Sequence, residues 1–149
     1  MTRARKQPWC RYTGAVFTLE RPLMSDYLIR DGGSVEEQWT DERCYIREIL
    51  NSPRVPDVSL AQARVEPGVT TEWHRVAVTE WYLIRAGEGL MEVGNSPPFR
   101  VEPGDAVEIP VGMPQRITNT GPDDLRFDCL CTPRFRPELY EIVNEPRQA

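Results

Sequence analysis

From Glu42 onward, apolar and polar residues alternate with a period of two, and turn-forming residues break the alternation roughly every eight to twelve positions. Tyr45–Leu50 runs into Asn51-Ser52-Pro53, Val58–Val65 into Glu66-Pro67-Gly68, and Trp81–Ile84 into Ala86-Gly87-Glu88-Gly89. Leu90–Val93 stops at Gly94-Asn95-Ser96-Pro97-Pro98. Phe99–Val101, Ala106–Ile109, Gln115–Thr118 and Leu125–Cys131 complete the series. Each gap carries Pro or Gly, which supply the fixed or positive φ that a tight turn requires. A helical stripe is suggested only at Pro137–Val143, which predicts one short C-terminal helix with Pro137 in its first turn. Short strands without crossover helices predict an all-β, antiparallel sandwich or barrel.

The tetrapeptide Val-Glu-Pro-Gly occurs twice, at 65–68 and at 101–104. Pro followed by Gly suits the central pair of a type II turn, so the repeat marks two equivalent turns, each leading into a strand pair. Residues 1–40 fit no motif and are read as an N-terminal extension, with Thr13–Leu19 a candidate edge strand. The barrel is assigned to 41–149.

Composition narrows the function classes. The chain has 149 residues and a mean hydropathy of −0.51, enough for one ordinary core. No apolar run reaches the roughly 18 residues of a membrane span, and Pro8, Trp9, Cys10 and Arg11 replace any signal-peptide apolar region. A cytoplasmic protein with no membrane partner is expected. Arg3, Arg5, Lys6 and Arg11 make the start basic, whereas the remainder holds 14 basic against 23 acidic residues. Four charges without interleaved aromatics are a poor nucleic-acid footprint, so no nucleic-acid partner is expected. Met24 offers a second candidate start. Cys10, Cys44, Cys129 and Cys131 lack metal-ribbon spacing and are read as free thiols of a reducing compartment. Neither a phosphate-binding glycine loop nor a nucleophile elbow is found.

After the first Val-Glu-Pro-Gly, the chain reads Gly68, five residues, His74, one residue, Val76, three residues, Glu80, six residues, Gly87. After the second it reads Gly104, five residues, Pro110, one residue, Gly112, two residues, Gln115, three residues, Asn119. These spacings resemble the two signature motifs of the cupin superfamily, G-x5-H-x-H-x3-E-x6-G and G-x5-P-x-G-x2-H-x3-N. The resemblance implies a jelly-roll barrel, an antiparallel double-stranded β-helix. It also implies a metal held at the positions of His74, Val76, Glu80 and Gln115. Val76 offers no donor, Gln115 offers only an amide oxygen, and His74 is the single histidine. The implied ligand set shrinks to His74, Glu80 and Gln115, which suits one weakly held divalent metal (Mn, Fe, Ni or Zn) or none. Glu72 shares a strand face with His74 and is a possible substitute ligand, although displaced from the position of Val76.

Strand parity places His74 with Val76, Glu80 with Tyr82 and Ile84, and Gln115 with Ile117 and Asn119, each set on one face. The expected cavity is therefore mostly apolar with a few polar groups. Trp73, Trp81 and Tyr82 either line its mouth or pack. Glu80, His74 and Tyr82 are the candidate catalytic residues, and Val76, Trp81, Ile84, Ile117 and Asn119 the candidate substrate contacts. Burial in an apolar barrel should raise the carboxyl of Glu80 toward a useful acid–base range. Two readings stay open. One is a small-molecule enzyme of isomerase, cyclase, lyase or dioxygenase type; the other is a metal-free cupin that binds a small ligand as a sensor or accessory module. A homodimer is expected, through strand faces that include Leu83 and Leu130.

Overall fold

The alternating stretches form two antiparallel sheets in a computed structural model that describes residues 36–144. Six strands make the larger sheet: β1 (Gln38–Trp39), β2 (Tyr45–Leu50), β3 (Ser59–Val65), β5 (Thr79–Ala86), β8 (Ala106–Ile109) and β10 (Leu125–Thr132). The smaller sheet holds β4 (His74–Val76), β6 (Gly89–Val93), β7 (Phe99–Val101), β9 (Gln115–Asn119) and β11 (Tyr140–Ile142). Their orders are β1-β2-β3-β10-β5-β8 and β11-β4-β9-β6-β7. The chain passes from one sheet to the other after almost every hairpin, and the two inner faces enclose a common interior. This is the jelly roll expected from the pattern. The candidate edge strand at Thr13–Leu19 lies outside the described residues, and the larger sheet already begins at Gln38, ahead of the expected boundary at 41.

Alternation decides what each strand buries. Along β5, Glu80, Tyr82 and Ile84 are buried while their neighbours are less so; along β9, Gln115, Ile117 and Asn119 are buried. One end of the interior is a dry core in which Val65, Met91, Ile117 and Leu125 are fully buried among Ile84, Val101 and Phe127. The polar inward residues of both strands gather toward the other end. On the outer face of the larger sheet, cross-strand pairing aligns Trp81, Leu130, Leu60 and Leu50 in one half-buried row.

The repeated tetrapeptide behaves as its chemistry requires. Val69 donates to Glu66 O and Asp105 to Glu102 O, each at 3.1 Å, and the glycines between have φ of +76° and +100°. At the C-terminus the structure corrects the sequence reading. Pro137–Leu139 is a single 3-10 turn, and Tyr140–Ile142 then continues as β11, paired with β4 in the register Tyr140↔Val76 and Ile142↔His74. An open edge on β4 offers the backbone more hydrogen bonds than a short helix would, and the segment takes them.

Asn119, a candidate substrate contact, is used by the fold. Its Nδ2 donates to Val65 O and Asp123 O at 2.8 Å, and its Oδ1 accepts from the Gly121 N–H at 3.0 Å. Asn119→Ala leaves two carbonyls and an amide short of partners, so it should lower unfolding free energy by about 1–3 kcal/mol in a urea titration. Ligand affinity in the folded fraction should be unchanged.

Candidate active site

Strands β4, β5 and β9 bring His74, Glu80, Tyr82 and Gln115 to one point inside the barrel. Gln115 is 1% exposed, His74 2% and Glu80 7%. The Gln115 amide is the hub: its Nε2 lies 2.8 Å from His74 Nε2, 2.8 Å from Glu80 Oε1 and 2.7 Å from Tyr82 Oη. His74 Nδ1 lies 2.8 Å from Glu72 O, which can only accept. Nδ1 therefore carries the hydrogen, and in the neutral ring Nε2 presents a lone pair to the amide N–H. Glu72 thus serves His74 through its main-chain carbonyl. On the opposite side of the carboxyl, Cys131 Sγ donates to Glu80 Oε2 at 3.8 Å.

Two further residues close the site, and neither was found from the sequence. Tyr140, brought in by β11, lies over His74 with ring centroids 5.0 Å apart. Glu42 approaches from the β1–β2 loop, with Oε2 3.9 Å from His74 Nε2. Its loop is tightly fixed: Arg43 has a φ of +68° and donates to Thr40 O, while Glu42 O accepts from the Glu72 N–H at 3.0 Å. No motif spacing marks Glu42. Only its position ahead of the first barrel strand could have suggested it.

Electrostatics follow from burial. Glu80 is raised from an ordinary carboxyl value to about 8, first because burial disfavours its charged form and second because the Glu42 carboxylate repels that charge. The hydrogen bonds from Gln115 and Cys131 work in the opposite direction. Glu42 is also raised by burial. Burial pushes Tyr82 and Cys129 well up and Cys131 to about 12, so the hydroxyl and thiols of the wall stay protonated and are poor nucleophiles. Cys44, Cys129 and Cys131 are free, as expected.

A cavity of about 80 Å³ opens between the inner faces of β2, β3, β5 and β10. Glu80, Tyr82, Cys129 and Cys131 form its inner wall, Glu42 flanks it, and Glu48, Asn51 and Phe135 complete the lining toward solvent. His74 and Gln115 stand behind Glu80 and Tyr82, connected to the cavity by the amide hydrogen bonds. The five candidate substrate contacts lie elsewhere. Ile84 and Ile117 belong to the dry core, Val76 packs with Val78 and Cys131, Asn119 holds its loop, and Trp81 faces outward from the sheet. Trp73 is buried on the outer side of its segment, with the Arg116 guanidinium 5.6 Å from its ring centre. Parity selected the correct face for most of these residues but could not say which part of the barrel stays open.

The implied metal can be tested against this arrangement. The lone pairs of His74 Nε2 and Glu80 Oε1 are engaged by the Gln115 N–H groups, and Val76 supplies no donor at the position where the motif resemblance implies one. Among the described residues no three His, Cys, Asp or Glu side chains are grouped to hold an ion. The donor set does not fit a tightly held transition metal.

A family model described as the cupin domain matches residues 61–133, which contain both motifs and four of the site residues, His74, Glu80, Tyr82 and Gln115. The barrel belongs to the cupin superfamily. Among solved structures, this cupin is similar to oxalate decarboxylase from Bacillus subtilis at a TM-score of 0.67 and 18% identity, over 75% of this chain and 31% of that one. A polyketide cyclase from Streptomyces resistomycificus matches at 0.63 and 19%, over 78% and 84% of the respective chains. A cupin-like protein from Thermotoga maritima matches at 0.58 and 21%, over 68% and 76%. At these identities the likeness is one of fold. The chain spans about a third of the length of the Bacillus oxalate decarboxylase. No curated protein matches the sequence significantly. No helix among the described residues is long and apolar enough to cross a membrane.

The raised carboxyl of Glu80 carries a stability signature. The unfolded chain releases that proton near 4.5, whereas the folded cupin keeps it to about 8. Between those values the folded state binds the extra proton, so stability declines as pH rises through the window. Urea titrations across it should show that decline, and Glu80→Gln should flatten it. An equal slope in the variant would contradict the assignment.

Proposed function

We propose that the barrel is a small-molecule enzyme that moves a proton on a carbonyl substrate, in isomerase, cyclase or lyase fashion, with Glu80 as the acid–base group. The observation that supports this is a neutral-leaning carboxyl on the wall of a small, mostly apolar cavity, fixed by an amide on one side and a thiol on the other. Glu80 lends its proton to the carbonyl oxygen and takes one from the adjacent carbon. The enol forms, and the carboxyl ends in the protonation state it started from. Tyr82, a neutral hydroxyl on the same wall, orients the oxygen. His74 acts through Gln115 and positions both. A relative named as a polyketide cyclase with a comparable chain length is compatible with this chemistry without fixing the substrate.

A divalent ion entering the site would compete with the Gln115 amide for the lone pairs of His74 and Glu80, and the reading assigns it no step. Protein purified without affinity tag or chelator should carry far less than one equivalent of Mn, Fe, Ni or Zn, and His74→Ala should not change that content. Near-stoichiometric metal that disappears in the variant would overturn the metal-independent reading. Self-association through the outward, half-buried Leu83 and Leu130 belongs to the same proposal.

The alternative is a pocket that binds and does nothing more, and it draws support from the amide lock on Glu80 and His74. Glu80→Gln separates the two. Turnover across a carbonyl panel should fall by about 100-fold or more, with ligand affinity kept within a few fold. Ligand binding with no Glu80-dependent turnover would leave only the binding module.

A further inference from the structure

Charge and hydrogen bonding in the cavity are unbalanced in a way that the acid–base reading does not use. Glu42, Glu48 and Glu80 all line it, and among the described residues its wall contains no lysine, arginine or histidine. One guanidinium touches that wall: Arg134 donates to Asn51 Oδ1 at 2.9 Å, and its own side chain is not part of the lining. Arg47, on β2, points away from the cavity and donates to Gln62 Oε1.

Acceptor groups at this end of the barrel also lack donors. Gln115 Nε2 brings two hydrogens to three groups within hydrogen-bond distance, His74 Nε2, Glu80 Oε1 and Tyr82 Oη, of which the Tyr82 hydroxyl donates in its own right. Gln115 Oε1 is itself buried without a partner, in a residue 1% exposed. The Glu42 carboxylate adds two more acceptor oxygens, and at 3.9 Å from His74 Nε2 it is beyond hydrogen-bond distance of the imidazole. Gln115 Oε1 lies behind the cavity wall, whereas the Glu42 carboxylate lines it, so a ligand that brings a hydrogen-bond donor satisfies Glu42. A ligand that brings a carboxylate or phosphate meets the Glu42 and Glu48 carboxylates without a counterion.

From the acidic lining and the Glu42 carboxylate left without a donor, we infer that the site takes an uncharged hydroxy-carbonyl compound, and that Glu42 is the residue that excludes anionic ones. The hydroxyl and the exclusion follow from the lining alone; the carbonyl rests on the proton-transfer reading above.

Hydroxyacetone, acetone and pyruvate share a carbon frame and a ketone, and differ in donor and charge. Each is titrated into the isotope-labelled full chain and followed at the backbone amides of Ala61, Tyr82 and Cys129. Hydroxyacetone should bind about tenfold more tightly than pyruvate and a few fold more tightly than acetone. Glu42→Gln should bring pyruvate to within about threefold of hydroxyacetone, and Glu42→Asp, which keeps the charge, should retain the discrimination. The inference is overturned if pyruvate binds as tightly as hydroxyacetone, if the preference survives Glu42→Gln, or if none of the three moves these amides. The order is read without turnover. Absence of Glu80-dependent turnover with the order intact therefore removes the catalytic reading alone, and a reversed order with turnover intact removes this one alone.

Discussion

The amide nitrogen of Gln115 stands within hydrogen-bond reach of three polar neighbours, and the polar end of the barrel is organised around it. Glu80 is held from one side by the amide and from the other by the Cys131 thiol. Tyr82 is drawn to the same nitrogen, and His74 is fixed from behind by the Glu72 carbonyl so that its lone pair faces the amide. In water such a cluster would be of little consequence. Inside an apolar barrel, an unmade hydrogen bond on any member costs about 1–3 kcal/mol, so the residues lock one another in place. The same low-dielectric surroundings that make the lock firm also raise the proton affinity of the Glu80 carboxyl, so its position and its protonation have one origin.

The two ends of the barrel divide the work. Where β5, β9 and β10 carry Ile84, Ile117 and Leu125, the interior is filled without room for a ligand. A few residues along the same strands, Glu80, Gln115 and Cys131 replace them, and the wall opens toward β2 and β3. Strand β10, which carries Cys129 and Cys131, lies between β3 and β5 with ladders on both sides, whereas β2 adjoins the short edge strand β1.

Much of this was readable in the chain. Alternation gave eight of the strands to within about two residues, because a strand with one buried face has a period that few other constraints disturb. The repeated Val-Glu-Pro-Gly placed the turns, and motif spacing placed His74, Glu80 and Gln115 side by side although they are far apart in sequence. What could not be read has two physical causes. Parity assigns a face but not a depth, so Ile84 and Ile117 looked equivalent to Glu80 and Gln115 as cavity lining when they are packed core. Residues outside the motifs have no spacing to announce them: Glu42 arrives on a strained loop, and Tyr140 on a strand that local sequence favours as a helical turn. Both are placed by long-range pairing, Glu42 O with the Glu72 N–H and β11 with β4.

Glu42 lies ahead of the region matched by the family model, which begins at residue 61. The Glu80 carboxyl therefore lies within the matched region, and the charge that tunes it is supplied by a loop outside that region. Such a division lets the proton affinity of the site change without disturbing its architecture. An insertion or a single exchange between β1 and β2 resets the proton affinity of Glu80, while the motif residues, the turns and the packed end stay as they are. Two barrels identical through both motifs can in this way hold the same carboxyl in different states of protonation.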